Sequence, residues 1–327
     1  MTDYLLLFEK VKQDFRLYAQ NYEVTKYYKR PINIDILVIS VGQDSFKPIA
    51  RAKKFGNSYE IQISADFIDR LYKYAEKISH EKLDFFFGTK ELKQNQKEYF
   101  KDILFFTWIN FIMFHEWSHI IAGHLDYKAS KSSSENHDNS FWIDNYQESQ
   151  NNDDVIKNPE LNRALELEAD SKASLFILSY IINNMTLYND ILLREINVNN
   201  VWSHFYYILS ILFNFLEDMR PKNSNSELSS THPSSLKRLV TMTMFISGEL
   251  ETREMLKEFR PVNEKNLNEF FTKHDYIFQL NFSNKSQDEI CAEQVVEANY
   301  IAKKVGKILK NSGISDYRLI NGKLFQF

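Results

Sequence analysis

The stretch KDILFFTWINFIMFHEWSHIIAGHL, residues 101–125, decides how this chain is read. Its apolar residues lack the polar stripe of a surface helix, so it predicts one long, buried helix from about Lys101 to Leu125. Within it His115 and His119 are four residues apart, on one helical face, where both rings can meet a common metal ion. Glu116 is turned by about 100° from His115, able to sit beside a metal without ligating it, where a general base is needed. If these groups only filled a core, two histidines and a glutamate in an apolar helix would be an unexplained burial cost.

A metal site of this kind needs a third ligand. His124 follows His115 by nine residues, about 180° away on an unbroken helix, and cannot join the same ion unless the helix ends early. Gly123 offers such an end. The three-histidine zinc pattern would need a glycine at position 122 and a histidine at 125, where the chain has Ala122 and Leu125. The stronger candidate lies in Arg163-Ala-Leu-Glu-Leu-Glu-Ala-Asp170, where Glu166 and Asp170 share a helical face and Glu168 points the other way. Glu166 would complete a His₂Glu site with water in the fourth position, and Asp170 could accept the free ring N–H of a ligand histidine. Ala169 and Ala173 are small enough to let the two helices approach. The competing reading is an ordinary charged face on a surface helix.

Outward from this pair of helices, the composition favours a folded, helix-rich chain. Of 327 residues, 43% are hydrophobic and 26% charged, which excludes disorder as the main state. Only 8 Gly and 6 Pro occur, well below the usual share of roughly 12% together, against an all-β chain of many tight turns. The net charge of −4 provides no positive field for nucleic acid. The single cysteine, Cys291, cannot form an internal disulfide, and the opening residues lack a secretory signal, so a cytoplasmic location is expected. The apolar segments Ile103–Phe114, Leu175–Ile182 and Val201–Leu216 stay short of a span of about 18 residues, so no stable membrane insertion is expected.

The pattern predicts an α+β, predominantly helical chain with a small β-sheet. Tyr4–Gln20 has helical spacing, Ile32–Ser40 alternates as a strand, and Pro48–Phe55 and Tyr59–Ser64 flank Gly56-Asn57 as a hairpin. Ser64 can cap a helix over Ala65–Ile78. Further helices are predicted over Pro159–Asn184, Val201–Met219 and from near Pro233, and a closing hairpin around Asn321-Gly322. The boundaries are an N-terminal helical segment 1–30, a catalytic domain 31–258 with a polar insertion 130–158, and a C-terminal accessory region 259–327. The insertion's Phe141-Trp142-Ile143 island reads as a satellite contact or a lid over the cleft.

The runs His115-Glu-Trp-Ser-His-Ile-Ile-Ala-Gly-His124, Glu166-Leu-Glu-Ala-Asp170 and His232-Pro-Ser-Ser-Leu-Lys-Arg238 follow the order HExxHxxxxH, ExxAD, HPxxxxR. In this the chain resembles the gluzincin zinc endopeptidases of the HtpX and CAAX-prenyl-protease type, over about Ile32 to Ser247. The resemblance implies a zincin-like catalytic core with the HExxH motif on its active-site helix. It implies one Zn²⁺ per chain on His115, His119 and Glu166, with Glu116 as base and Asp170 behind the metal. His232 and Arg238 would lie near the cleft, contacting substrate or modulating access; the competing local reading is a helix start capped by Thr231, with Arg238 solvated. His124 is expected to be a structural contact rather than a ligand. That group is often membrane-embedded or exported, unlike this chain, which also resembles the Lit phage-exclusion peptidases, cytoplasmic HExxH proteins of similar size that act in the response to phage.

The function expected is thus hydrolysis of peptide bonds in a protein or peptide substrate, in a stress or phage-defence setting. A peptidase free in the cytoplasm needs restraint, so the insertion is expected to restrict the cleft, and there is room for a regulatory protein partner. Two other classes stay open: a catalytically silent, zinc-bound regulatory or protein-binding module, and a purely structural helical protein without metal.

Overall fold

The computed structural model describes residues 3–21, 33–39, 50–55, 58–81, 93–131, 141–142, 159–183, 201–219, 233, 235–252 and 303–313. The elements in chain order are helix α1 (Asp3–Asn21), strands β1 (Asn33–Ile39), β2 (Ala50–Phe55) and β3 (Ser58–Ser64), and helices α2 (Ala65–His80), α3 (Gln94–Ile121) and α4 (His124–Lys131). There follow strand β4 (Phe141–Trp142) and helices α5 (Pro159–Asn183), α6 (Val201–Asp218), α7 (Ser235–Thr252) and α8 (residues 303–311). The α+β, mostly helical architecture expected from the sequence is present. The expected closing hairpin at 319–327 lies outside the described residues.

The middle of the fold is α3. From Ile103 onward nearly every position is covered, because helices pack around it on several sides and leave it no solvent face. Phe15 of α1 meets Phe114 at 5.1 Å and Trp117 at 6.1 Å between ring centroids. Tyr72 and Tyr74 of α2 meet Phe105 and Trp108. Phe176 of α5 lies against Phe114 and Trp117, and Phe213 of α6 against Phe111. Trp108 also donates its indole N–H to the Ile208 carbonyl of α6 at 2.8 Å, satisfying a polar group that the apolar surroundings would otherwise strand. A helix that is apolar all round is stable only when enclosed in this way.

Among the described residues the strands form one sheet in the order β1-β3-β2-β4. β2 and β3 are antiparallel with Phe55 opposite Ser58, the register a two-residue hairpin requires. β1 runs parallel to β3, and β4 pairs with β2 through Arg51↔Trp142 and Ala52↔Phe141. The Phe141-Trp142 pair is thus an edge strand of the sheet. Ser64 ends β3 and caps α2, its hydroxyl accepting the Phe67 amide at 3.3 Å.

The long helix predicted over 101–125 is two helices. α3 stops at Ile121, Gly123 takes φ 76°, and its amide bonds back to the Ile120 carbonyl at 3.0 Å. A left-handed residue after the last turn is favoured by glycine, which has no Cβ to clash, and it redirects the chain into α4. Asp126 of α4 then accepts bonds from Tyr59 of β3 and from Lys54 of β2, tying the short helix to the sheet. Among the described residues no helix is long and apolar enough to cross a membrane.

The first and last of these helices share the core: Phe8, Val11 and Phe15 of α1 and Val305 and Leu309 of α8 belong to one buried cluster with α3. Phe15→Ala is therefore expected to lower unfolding free energy by about 3–5 kcal/mol, measured by urea denaturation. A loss near zero would show that α1 is not part of the cooperative unit.

Candidate metal centre

Helices α3 and α5 bring the expected ligands together. The helical spacing of His115 and His119 leaves their Nε2 atoms 3.0 Å apart, and Glu166 of α5 places Oε2 3.2 Å from His115 Nε2 and Oε1 3.6 Å from His119 Nε2. A tetrahedral ion with bonds of about 2.0–2.1 Å spaces its ligands about 3.3 Å apart. The three separations straddle that value, so this buried cluster can hold one metal ion. His115, Glu116 and His119 are 0% exposed and Glu166 is 2% exposed.

Behind the ligands stands a second set of groups. His115 Nδ1 meets Asp170 Oδ1 at 2.8 Å, and Arg238 of α7 grips Asp170 through Nε and one terminal nitrogen, each at 2.7 Å. Asp170 therefore takes the place expected of it. Arg238 is not the solvated residue of the competing local reading: it is buried behind Asp170, with its guanidinium 4.7 Å over the Phe213 ring. The physical reason is charge: a carboxylate held in an apolar interior needs a cation, and the planar guanidinium matches both its oxygens. His232 lies outside the described residues.

His119 has its own support. Its Nδ1 is 2.8 Å from Nδ1 of His124, the first residue of α4, and His124 Nε2 is 3.1 Å from Glu168, which also accepts a bond from Lys172 at 2.6 Å. His124 is thus a structural contact beside the centre, as expected, and the early end of α3 is what brings it there. Glu168 does point away from Glu166, yet it is fully buried rather than solvated. Sequence reasoning gave neither Glu168 nor Lys172 a place in the site; the i,i+4 spacing of the two was the available signal.

Electrostatics distinguishes the members. Burial disfavours a charged His115 ring, but Asp170 and Glu166 outweigh it and lift the pKa to about 10. Burial depresses His119 to about 4 and His124 to about 3, with Glu166 and Glu168 respectively pulling the other way. Burial also opposes the charge on Asp170, but Arg238 and His115 overcome it and hold its pKa below the ordinary carboxylate value. Glu116 has no such partner: neither carboxylate oxygen makes a hydrogen bond of ordinary geometry. Burial raises it to about 8, although His115 and the Ala52 amide of β2 favour its charged form.

Two outcomes follow. Replacing Arg238 by Met leaves Asp170 as an uncompensated buried charge and should cost about 3–5 kcal/mol of stability in urea unfolding, where a solvated arginine would cost almost nothing. In the metal-free protein His115 keeps its proton below about pH 10, and a metal ion has to displace it. Apparent metal affinity should therefore climb with pH above neutrality, by roughly tenfold per unit, in chelator competition; a flat profile would show that the ring is already neutral. Comparison with protein-family models, with curated protein sequences and with solved structures finds no match.

Proposed function

We propose that the chain is a zinc-dependent endopeptidase with a zincin-like core, of the gluzincin type its three motifs resemble. The observation that carries this reading is the convergence of two imidazole nitrogens and one carboxylate beside a buried glutamate that makes no hydrogen bond of ordinary geometry. Two His and one Glu form the donor set of catalytic zinc sites that keep a fourth position for water. His115, His119 and Glu166 would hold the ion. Zinc, when bound, supplies the Lewis acidity that makes a water nucleophilic near neutral pH and polarises a peptide carbonyl.

The remaining chemistry belongs to the chain. Glu116 follows His115 directly on α3, so the helix that fixes the ligands also fixes the base. Its raised pKa suits a group that takes a proton from the attacking water and returns it to the leaving amine. Asp170 and Arg238 act through His115, holding its ring rather than touching substrate. A protein or peptide substrate, a cytoplasmic setting and a role in a stress or phage response belong to the same proposal and rest on the motif order.

A second reading has an observation of its own. The cluster is fully enclosed, which suits a metal centre that stabilises a regulatory or protein-binding module without turnover. The two separate cleanly. On the peptidase reading Glu116→Gln keeps zinc by elemental analysis and lowers hydrolysis by about 10²–10⁴-fold, while Glu166→Ala loses both. New peptide termini in a whole-cell lysate treated with wild-type protein, compared with the Glu116→Gln variant, provide the activity readout. Zinc-loaded wild-type protein that generates no termini beyond those of the variant would leave the silent module.

A further inference from the structure

We propose that His124, backed by Glu168 and Lys172, is a positioning residue that fixes the tautomer and orientation of the metal ligand His119; the inference rests on reading the His115–His119–Glu166 cluster as a metal centre. The argument is one of donors and acceptors. An imidazole that gives its Nε2 lone pair to a cation must carry its hydrogen on Nδ1. In His119 that nitrogen lies 2.8 Å from Nδ1 of His124, which therefore has to accept. His124 then carries its own hydrogen on Nε2, where Glu168 Oε2 stands at 3.1 Å to receive it. Glu168 Oε1 accepts from the Lys172 ammonium at 2.6 Å. One choice, metal on Nε2 of His119, assigns every proton along the relay without a donor facing a donor.

The arrangement differs from the one behind the other histidine. His115 meets its carboxylate directly, whereas His119 is separated from Glu168 by a whole ring. In both relays the carboxylate is bound to a buried cation, Arg238 for Asp170 and Lys172 for Glu168. Each carboxylate can thus orient a ring while its charge is balanced locally, and the charge facing the ion is set by Glu166. The backbone delivers both parts: the left-handed Gly123 turns the chain so that His124 meets His119, and α5 carries Glu168 and Lys172 on the face away from Glu166. His119, His124 and Glu168 are 0% exposed and Lys172 is 1% exposed, so solvent does not substitute for a missing partner.

Two polar replacements test this in the full chain. In His124→Asn the amide oxygen falls near the position of Nδ1 and keeps an acceptor for His119, while in His124→Gln the longer side chain reaches toward Glu168 and leaves that acceptor position empty. The expected order of Zn²⁺ affinity, by competition with a chromogenic chelator, is wild type, then Asn, then Gln, with Gln about 10–100-fold below wild type. With Co²⁺ in place of zinc, the visible d–d bands should move in the Gln variant and stay near wild type in Asn. Equal affinities and identical cobalt spectra for the two variants, or Gln outperforming Asn, would overturn the proposal. Wild-type protein that binds neither ion would sink it together with the metal centre. Wild-type protein that binds zinc in the predicted order but hydrolyses nothing would remove the peptidase reading and support this one.

Discussion

A charged or strongly polar group buried in an apolar interior must find a partner there, and that constraint organises the centre of this molecule. α3 is enclosed by phenylalanine and tryptophan rings, yet it carries His115, Glu116 and His119 at zero exposure. Much of what is placed around the two histidines compensates them. α5 supplies carboxylates on two faces, α7 supplies Arg238, and the turn at Gly123 supplies His124. The result is a set of helices tied to one another through their buried polar groups.

The compensation runs in pairs whose members are remote in sequence. Arg238 is 68 residues from Asp170, and Asp170 is 55 residues from His115. Such a relay couples three helices through hydrogen bonds that cannot be exchanged for water. Local packing joins the same helices, since Phe176 of α5 lies against Trp117 and Phe213 of α6 against Phe111 of α3. Apolar packing sets how close the helices come, and the polar pairs set their register.

What the sequence made legible was whatever depends on spacing within one element. The i,i+4 histidines, the Glu166 and Asp170 face, the Ser64 cap and the hairpin register of β2 and β3 all follow from local periodicity and turn chemistry. What it hid depends on which helix packs where. Arg238 reads locally as one more basic residue near a helix start, and only the approach of α7 to α5 makes it the counter-ion of Asp170. Glu168 reads only as pointing away from Glu166 for the same reason: periodicity around one helix shows which side it faces but not that His124 meets it there. Gly123 was visible as a stop, but the destination of His124 was not, because that depends on α4 being fastened to the sheet through Asp126, Tyr59 and Lys54.

Against this background the surroundings of Glu116 carry meaning. The fold provides Asp170 with Arg238 and Glu168 with Lys172, so it has the means to neutralise a buried acid, and it does so at both positions that hold a histidine in place. At Glu116, beside the His115–His119–Glu166 cluster, no described residue forms an ion pair or a hydrogen bond of ordinary geometry, and the Ala52 amide and His115 favour its charge only in part. A structural acid would gain nothing from that arrangement, because an unsatisfied buried carboxylate costs stability in either protonation state. An acid that has to exchange a proton with a reacting molecule needs it, since a permanent partner would hold its pKa low and occupy the oxygen that must receive the proton. Glu116 is thus the buried acid whose charge the fold balances least, and that is the property the proposed peptidase reading asks of a general base.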